Sequence, residues 1–136
     1  MKKLIWLLFP LLLAGTVSGQ SLANLPDVNL LLQGAKVYAQ DGGNTYLGSI
    51  TNELNQDSIF NWVGPYGSTL SQTSIWNELS PYGIETGKYS ACNELSKTPP
   101  KIVKGGKVIG YITKNATIYN RISPWQLKSI KDQLAQ

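Results

Sequence analysis

Ser58-Ile59-Phe60-Asn61-Trp62-Val63-Gly64-Pro65-Tyr66-Gly67, Ser74-Ile75-Trp76-Asn77-Glu78-Leu79-Ser80-Pro81-Tyr82-Gly83 and Ser90-Ala91-Cys92-Asn93-Glu94-Leu95-Ser96 are three versions of one phrase, set sixteen residues apart. Recurrence at a fixed step marks one small unit used repeatedly, and such units bury apolar surface by stacking on one another. In the two full versions a candidate cap, Asp57 or Thr73, precedes a Ser-Ile pair, and Ile59, Phe60 and Val63, or Ile75, Trp76 and Leu79, are spaced to share one helical face. Gly64-Pro65 and Ser80-Pro81 stop a helix, since proline cannot continue it and restricts the residue before it. The spacing therefore predicts three repeats over 57–96, each a short helical turn followed by a β-turn and an extended segment such as Ser68 to Ser71. The third version, reduced to Ala91, Cys92 and Leu95, reads as a terminal cap.

On either side lie two related strand pairs. Lys36 to Thr51 holds an Asp41-Gly42-Gly43 turn between β-branched and aromatic flanks, and Lys101 to Thr113 holds a Gly105-Gly106 turn between similar flanks. Both read as β-hairpins (36–51 and 101–113) that pair into one sheet. Gly48 and Gly110 interrupt equivalent strands, the mark of a bulge or of a close backbone approach. Farther out, Pro26, Asp27 and the leucines before Gly34 read as a short helix over 24–33, or equally as a buried strand. Ser123-Pro124-Trp125-Gln126 carries a serine cap, a proline at the first helical position and a capping-box glutamine, predicting a helix over 123–134. The expected fold is a small α+β domain, with two hairpins forming one sheet and bracketing the array.

Residues 36 to 126 resemble a group of small, mostly exported bacterial proteins. In that group tracts like Asp57-Ser58-Ile59-Phe60-Asn61, Tyr66-Gly67-Ser68 and Ser74-Ile75-Trp76-Asn77 recur between glycine-containing strands. Pro99-Pro100-Lys101-Ile102-Val103 also fits that pattern, whereas Trp62 and Glu78 depart from it. The resemblance implies an architecture and transfers no functional residue.

Lys2 and Lys3 precede an apolar run from Leu4 to Ala14, then small and polar residues to Gly19. The run is too short to span a bilayer, and the pattern is that of a signal peptide over 1–19. Thr16 stands where a lipid-bearing cysteine would be needed. The remaining 20–136 is expected to be a single domain with no transmembrane segment, exported to a periplasmic, cell-surface or secreted location. Its charge is uneven: residues 20 to 96 carry two basic and seven acidic side chains, and residues 97 to 136 carry eight basic and one acidic. The lysines are spread singly, so no nucleic-acid partner is expected.

The chain has no histidine and one cysteine, Cys92. That composition removes a Ser-His-Asp triad, a thiol-imidazole pair, an internal disulfide and the usual zinc sets. No cofactor or metal is expected, and no catalytic residue is assigned. Asp57, Glu78, Glu85 and Glu94 leave a small carboxylate-dependent hydrolase as the alternative. The leading expectation is a non-catalytic binding or structural module for cell-wall glycan, peptide or another copy of itself. Its candidate ligand residues are Trp62, Tyr66 and Tyr82, flat rings on a repeated scaffold. Trp76 shares its place in the phrase with Phe60 and Cys92 and is expected inside; Trp62 shares its place with Glu78 and Glu94 and is expected outside.

Overall fold

A computed structural model describes residues 20–135, so the signal-like segment 1–19 lies outside the described residues. The domain is α+β, with one mixed five-stranded sheet and two short helices. The strands are β1 (Lys36–Tyr38), β2 (Tyr46–Ser49), β3 (Lys101–Lys104), β4 (Lys107–Ile112) and β5 (Arg121–Ile122), in spatial order β2-β1-β3-β4-β5. The β1–β2, β1–β3 and β3–β4 pairs are antiparallel, and β5 joins β4 in parallel. That fifth strand has only two residues, too few for a recognisable period.

Two bulges locate the glycines. Register shifts between Val37 and Tyr38 against β2, and between Ile102 and Val103 against β4, so that Val37 faces Gly48 and Ile102 faces Gly110. At Gly48, φ is +107° and a Cβ would sit 2.6 Å from the Cβ of Tyr66. The array therefore presses against the sheet at this residue, and glycine is what permits the approach.

The helices are shorter than the sequence predicts. Helix α1 covers Val28–Leu32, before Gly34 at φ +81°. Helix α2 covers Pro124–Ser129 and carries the full capping box, the Ser123 hydroxyl accepting from the Gln126 amide and the Gln126 side chain accepting from the Ser123 amide. The expected continuation to residue 134 is instead a single 3₁₀ turn over Lys131–Gln133.

The largest correction concerns 57–96, where the chain forms no helix. It is a ladder of tight turns in which an amide donates to the carbonyl three residues back: Asn61 to Ser58, Gly64 to Asn61, Ser71 to Ser68, Ser74 to Ser71, Asn77 to Ser74 and Ser80 to Asn77. Ser68 and Ile84 instead reach back four residues, to Gly64 and Ser80. Each sixteen-residue interval thus holds four steps of three and one of four, the longer step being Pro-Tyr-Gly. The segment expected to be extended, Ser68 to Ser71, is one of the three-residue steps.

Side chains explain why turns win over helix. At the start of most turns a serine or asparagine oxygen accepts the amide two residues on: Ser58 from Phe60, Asn61 from Val63, Ser74 from Trp76, Asn77 from Leu79, Ser80 from Tyr82, Ser90 from Cys92 and Asn93 from Leu95. Such local bonds offer the backbone an alternative to the helical ladder. The asparagine amides also donate across the turns, Asn61 to Asn55, Asn77 to Ser71 and Asn93 to Gly87 at 2.8–2.9 Å.

A three-residue step redistributes the apolar groups. Ser58, Ser74 and Ser90 are buried together with Ile59, Ile75 and Ala91, and the last three enter the core with Val37, Leu47, Ile102, Ile112, Ile122 and Leu127. Val63, Leu79 and Leu95, expected on the inner helical face, are 93%, 79% and 83% exposed at turn tips. Phe60 is buried, whereas Trp76 and Cys92 are half-buried, so the three share a place in the phrase but not the same depth.

The ladder spans the sheet. At its start Ser49 of β2 bridges Ser58, with the Ile59 amide donating to the Ser49 carbonyl at 2.9 Å. Near its end the Lys114 amide, just beyond β4, donates to the Ala91 carbonyl at 3.0 Å, and the Asn115 side chain donates to Ser96. Neighbouring intervals are tied by the Trp76 indole N–H donating to the Ile59 carbonyl at 2.6 Å and by the Ala91 amide donating to Tyr82 at 3.0 Å.

Candidate functional site

The three sequence-predicted ligand residues do not meet. Tyr82 is turned inward, 9% exposed, with its hydroxyl donating to Asp41 Oδ2 at 2.8 Å. Through this bond it fastens the β1–β2 turn to the ladder, and its buried ring offers little surface to a ligand. Tyr66 packs edge-on against Tyr46 with centroids 5.0 Å apart, and Tyr46 meets Tyr38 at 5.4 Å. This tyrosine row continues to Asp57, whose carboxylate accepts the Tyr46 hydroxyl at 2.6 Å, and to Lys36, whose ammonium lies 5.6 Å from the Tyr46 centroid.

Both aspartates are shifted by these contacts. Hydrogen bonds from the Thr45 hydroxyl, the Tyr82 hydroxyl and the Gly43 and Thr45 amides outweigh burial and hold Asp41 down at about 2. The Tyr46 hydroxyl, with smaller help from Ser49 and Lys36, holds Asp57 below the usual carboxylate range, and burial together with Asp57 pushes the Tyr46 phenol up. A depressed carboxyl stabilises the fold above its ordinary value of 3.8 and loses that contribution as pH falls toward its folded value. Stability is therefore expected to fall between about pH 4 and pH 2. Tyr82→Phe is expected to cost about 1–2 kcal/mol at neutral pH and progressively less through that window. Urea unfolding at pH 7 and near pH 2 checks both; a Tyr82→Phe deficit that persists undiminished in acid contradicts the assignment.

Trp62 lines a depression. Its indole, 68% exposed, borders a small apolar hollow with Ile59, Phe60, Thr69, Trp76 and Lys128. A second hollow of about 180 Å³ continues past Trp76 and Lys128 to Glu78, Cys92, Lys114 and Trp125. Because Trp76 and Lys128 line both, the two form one groove with a half-buried indole at its middle. Trp62 stands in one half, and Trp125, 73% exposed, in the other. Phe60 and Trp76 are tilted against each other with centroids 6.1 Å apart.

The ladder and α2 build this groove together. Trp62 occupies a turn tip, held by the bond from the Val63 amide to Asn61. Trp76 is fixed by its own N–H on Ile59. Trp125 and Lys128 project from the first turns of α2, which is anchored by buried Leu127. The Lys128 ammonium lies 5.9 Å from the Trp76 centroid and 5.8 Å from that of Trp125. Lys131 borders the first hollow but is paired with Glu53 at 3.1 Å.

Of the four carboxylates considered for hydrolysis, Asp57 belongs to the tyrosine row. Glu78 lines the groove, and Glu85 and Glu94 border an open dish that adjoins it at Cys92. Burial pushes the Cys92 thiol up, which disfavours the thiolate. Among the described residues there is no cluster of three or more metal-ligating side chains and no helix long and apolar enough to cross a membrane. The chain matches no protein-family model, no curated protein and no solved structure.

Proposed function

We propose that this chain is an exported, non-catalytic binding module whose aromatic groove stacks on the sugar rings of a cell-envelope glycan. The observation that carries this reading is the pair of exposed indoles, Trp62 and Trp125, flanking a groove floored by Trp76. An indole left in water at the rim of a hollow gains more from covering a flat, partly apolar ring than from solvent. The hollows are shallow, which suits a polymer lying across the surface better than an engulfed small molecule. Export is supported by the Lys2-Lys3 and Leu4–Ala14 pattern.

We also infer that the array is one sixteen-residue unit used three times, with the recurring serine and asparagine bonds as its supports. Its role is to hold Trp62 and Trp76 at fixed positions opposite α2. A rigid scaffold of this kind lowers the ordering cost of binding.

Sedimentation with insoluble peptidoglycan and with chitin tests the reading. Trp62→Ala and Trp125→Ala are each expected to weaken binding about tenfold, or about 1.4 kcal/mol, while leaving the melting temperature unchanged because both side chains are exposed. Undiminished binding by the double variant would falsify the aromatic groove as the site.

A further inference from the structure

We infer that the groove selects an acidic glycan, one bearing carboxylates or phosphodiesters, and that Lys128 is the residue that selects it; this rests on the glycan reading above. The geometry points to Lys128 because its ammonium lies near the rings of both Trp76 and Trp125 and lines both hollows. Among the described residues it has no carboxylate partner, unlike Lys131, which is held by Glu53 and approached by Asp132 at 3.9 Å. It stands near two indole faces, and Glu78 lines the second hollow with it without forming an ion pair.

That placement sets up a competition. A sugar stacking on Trp76 or Trp125 must take the surface that the ammonium covers. A neutral sugar displaces the cation and offers only hydroxyls in return. An anionic group gives the ammonium a charge-assisted hydrogen bond, stronger than its contact with an exposed ring, and draws it aside without leaving it unpaired. Lys114, on the wall of the second hollow, adds a further positive charge, and Glu78 on the same wall places one negative charge against it. With Lys131 neutralised by Glu53, the lining holds Lys114 and Lys128 against Glu78, while Glu85 lies close enough to act on Cys92, so the positive charge is centred on Lys128 between the two indoles.

The mature chain is titrated with three soluble probes of matched length: a neutral N-acetylglucosamine oligomer, a uronic-acid oligomer and a glycerol-phosphate oligomer. At least one anionic probe is expected to bind tenfold or more tightly than the neutral one, with the advantage shrinking in high salt. Lys128→Gln is expected to erase that advantage, and Trp62→Ala to weaken all binding. Whichever anion binds more tightly identifies the source of the charge. Equal affinity for neutral and anionic probes, with Trp62 still required, overturns the charge selection and leaves the glycan reading standing. Failure of every probe to bind overturns both.

Discussion

Gly83→Ala is expected to lower the stability of the domain by about 3 kcal/mol, the range reached when a packed site is forced to accept an extra methyl group. The methyl would overlap the Asn77 carbonyl oxygen and lie 2.7 Å from that of Ile75. Both obstacles are backbone, so neither can swing aside as a flexible side chain does. Asn77 is also the least free residue to move, since its side chain spans from the Leu79 amide to the Ser71 carbonyl. Gly67, sixteen residues earlier, meets the Asn61 backbone in the same way, and its alanine variant is expected to behave alike. For a domain of this size the loss corresponds to a fall of about 10 °C in melting temperature. Gly43→Ala supplies the contrast: its nearest neighbour would be an Asp41 oxygen at 3.7 Å, and its expected effect is within about 0.5 kcal/mol. Thermal unfolding of the three variants checks this, and near-native stability of both Gly67→Ala and Gly83→Ala would contradict the packing of the four-residue steps.

Ile75→Ala and Leu79→Ala separate two readings of the same sequence. A helical turn places both side chains on its inner face and makes both costly. The ladder buries Ile75 to 1% exposure and leaves Leu79 at a turn tip. Truncating Ile75 is accordingly expected to cost about 2–5 kcal/mol, as for other large core aliphatics, because Trp76 is fixed on the backbone and the surrounding wall cannot collapse freely. Truncating Leu79 is expected to change stability by no more than about 0.5 kcal/mol. Chemical denaturation with an unchanged m-value in both variants would show that the native state itself is what differs.

Why one reading is suggested by the sequence and the other adopted by the chain lies in two overlapping periods. Ile59, Phe60 and Val63 sit at offsets that suit a 3.6-residue turn, and that apolar pattern is conspicuous. Less conspicuous is the run Ser68, Ser71, Ser74, Asn77 and Ser80, a hydrogen-bonding residue at every third position. Serine and asparagine at that step are poor helix formers and good turn formers, which is the available signal for the ladder. The places of β1–β4 were legible because turn glycines and β-branched flanks are local features. So were the bulges, marked by Gly48 and Gly110 inside their strands; the parallel β5 and the truncation of α2 were not, since each is set by partners distant in the chain. Likewise Trp62 could be placed outside by comparison with Glu78 and Glu94. Trp125 and Lys128 could not be joined to it, because only the packing of α2 against the ladder brings them to one groove. Tyr82 was misplaced for a related reason: its partner, Asp41, lies forty-one residues away.

Amide hydrogen exchange across residues 58–84 reads the ladder most directly. In turns of three, the Asn61 and Asn77 amides donate to Ser58 and Ser74, whereas those of Trp62 and Glu78 donate to no acceptor among the described residues. Slow exchange at Asn61 and Asn77 beside fast exchange at Trp62 and Glu78 is the expected pattern. A helix capped at Asp57 or Thr73 bonds the amides of Asn61 and Trp62, or of Asn77 and Glu78, to carbonyls four residues back, so slow exchange at Trp62 and Glu78 would contradict the ladder on which the aromatic groove is built.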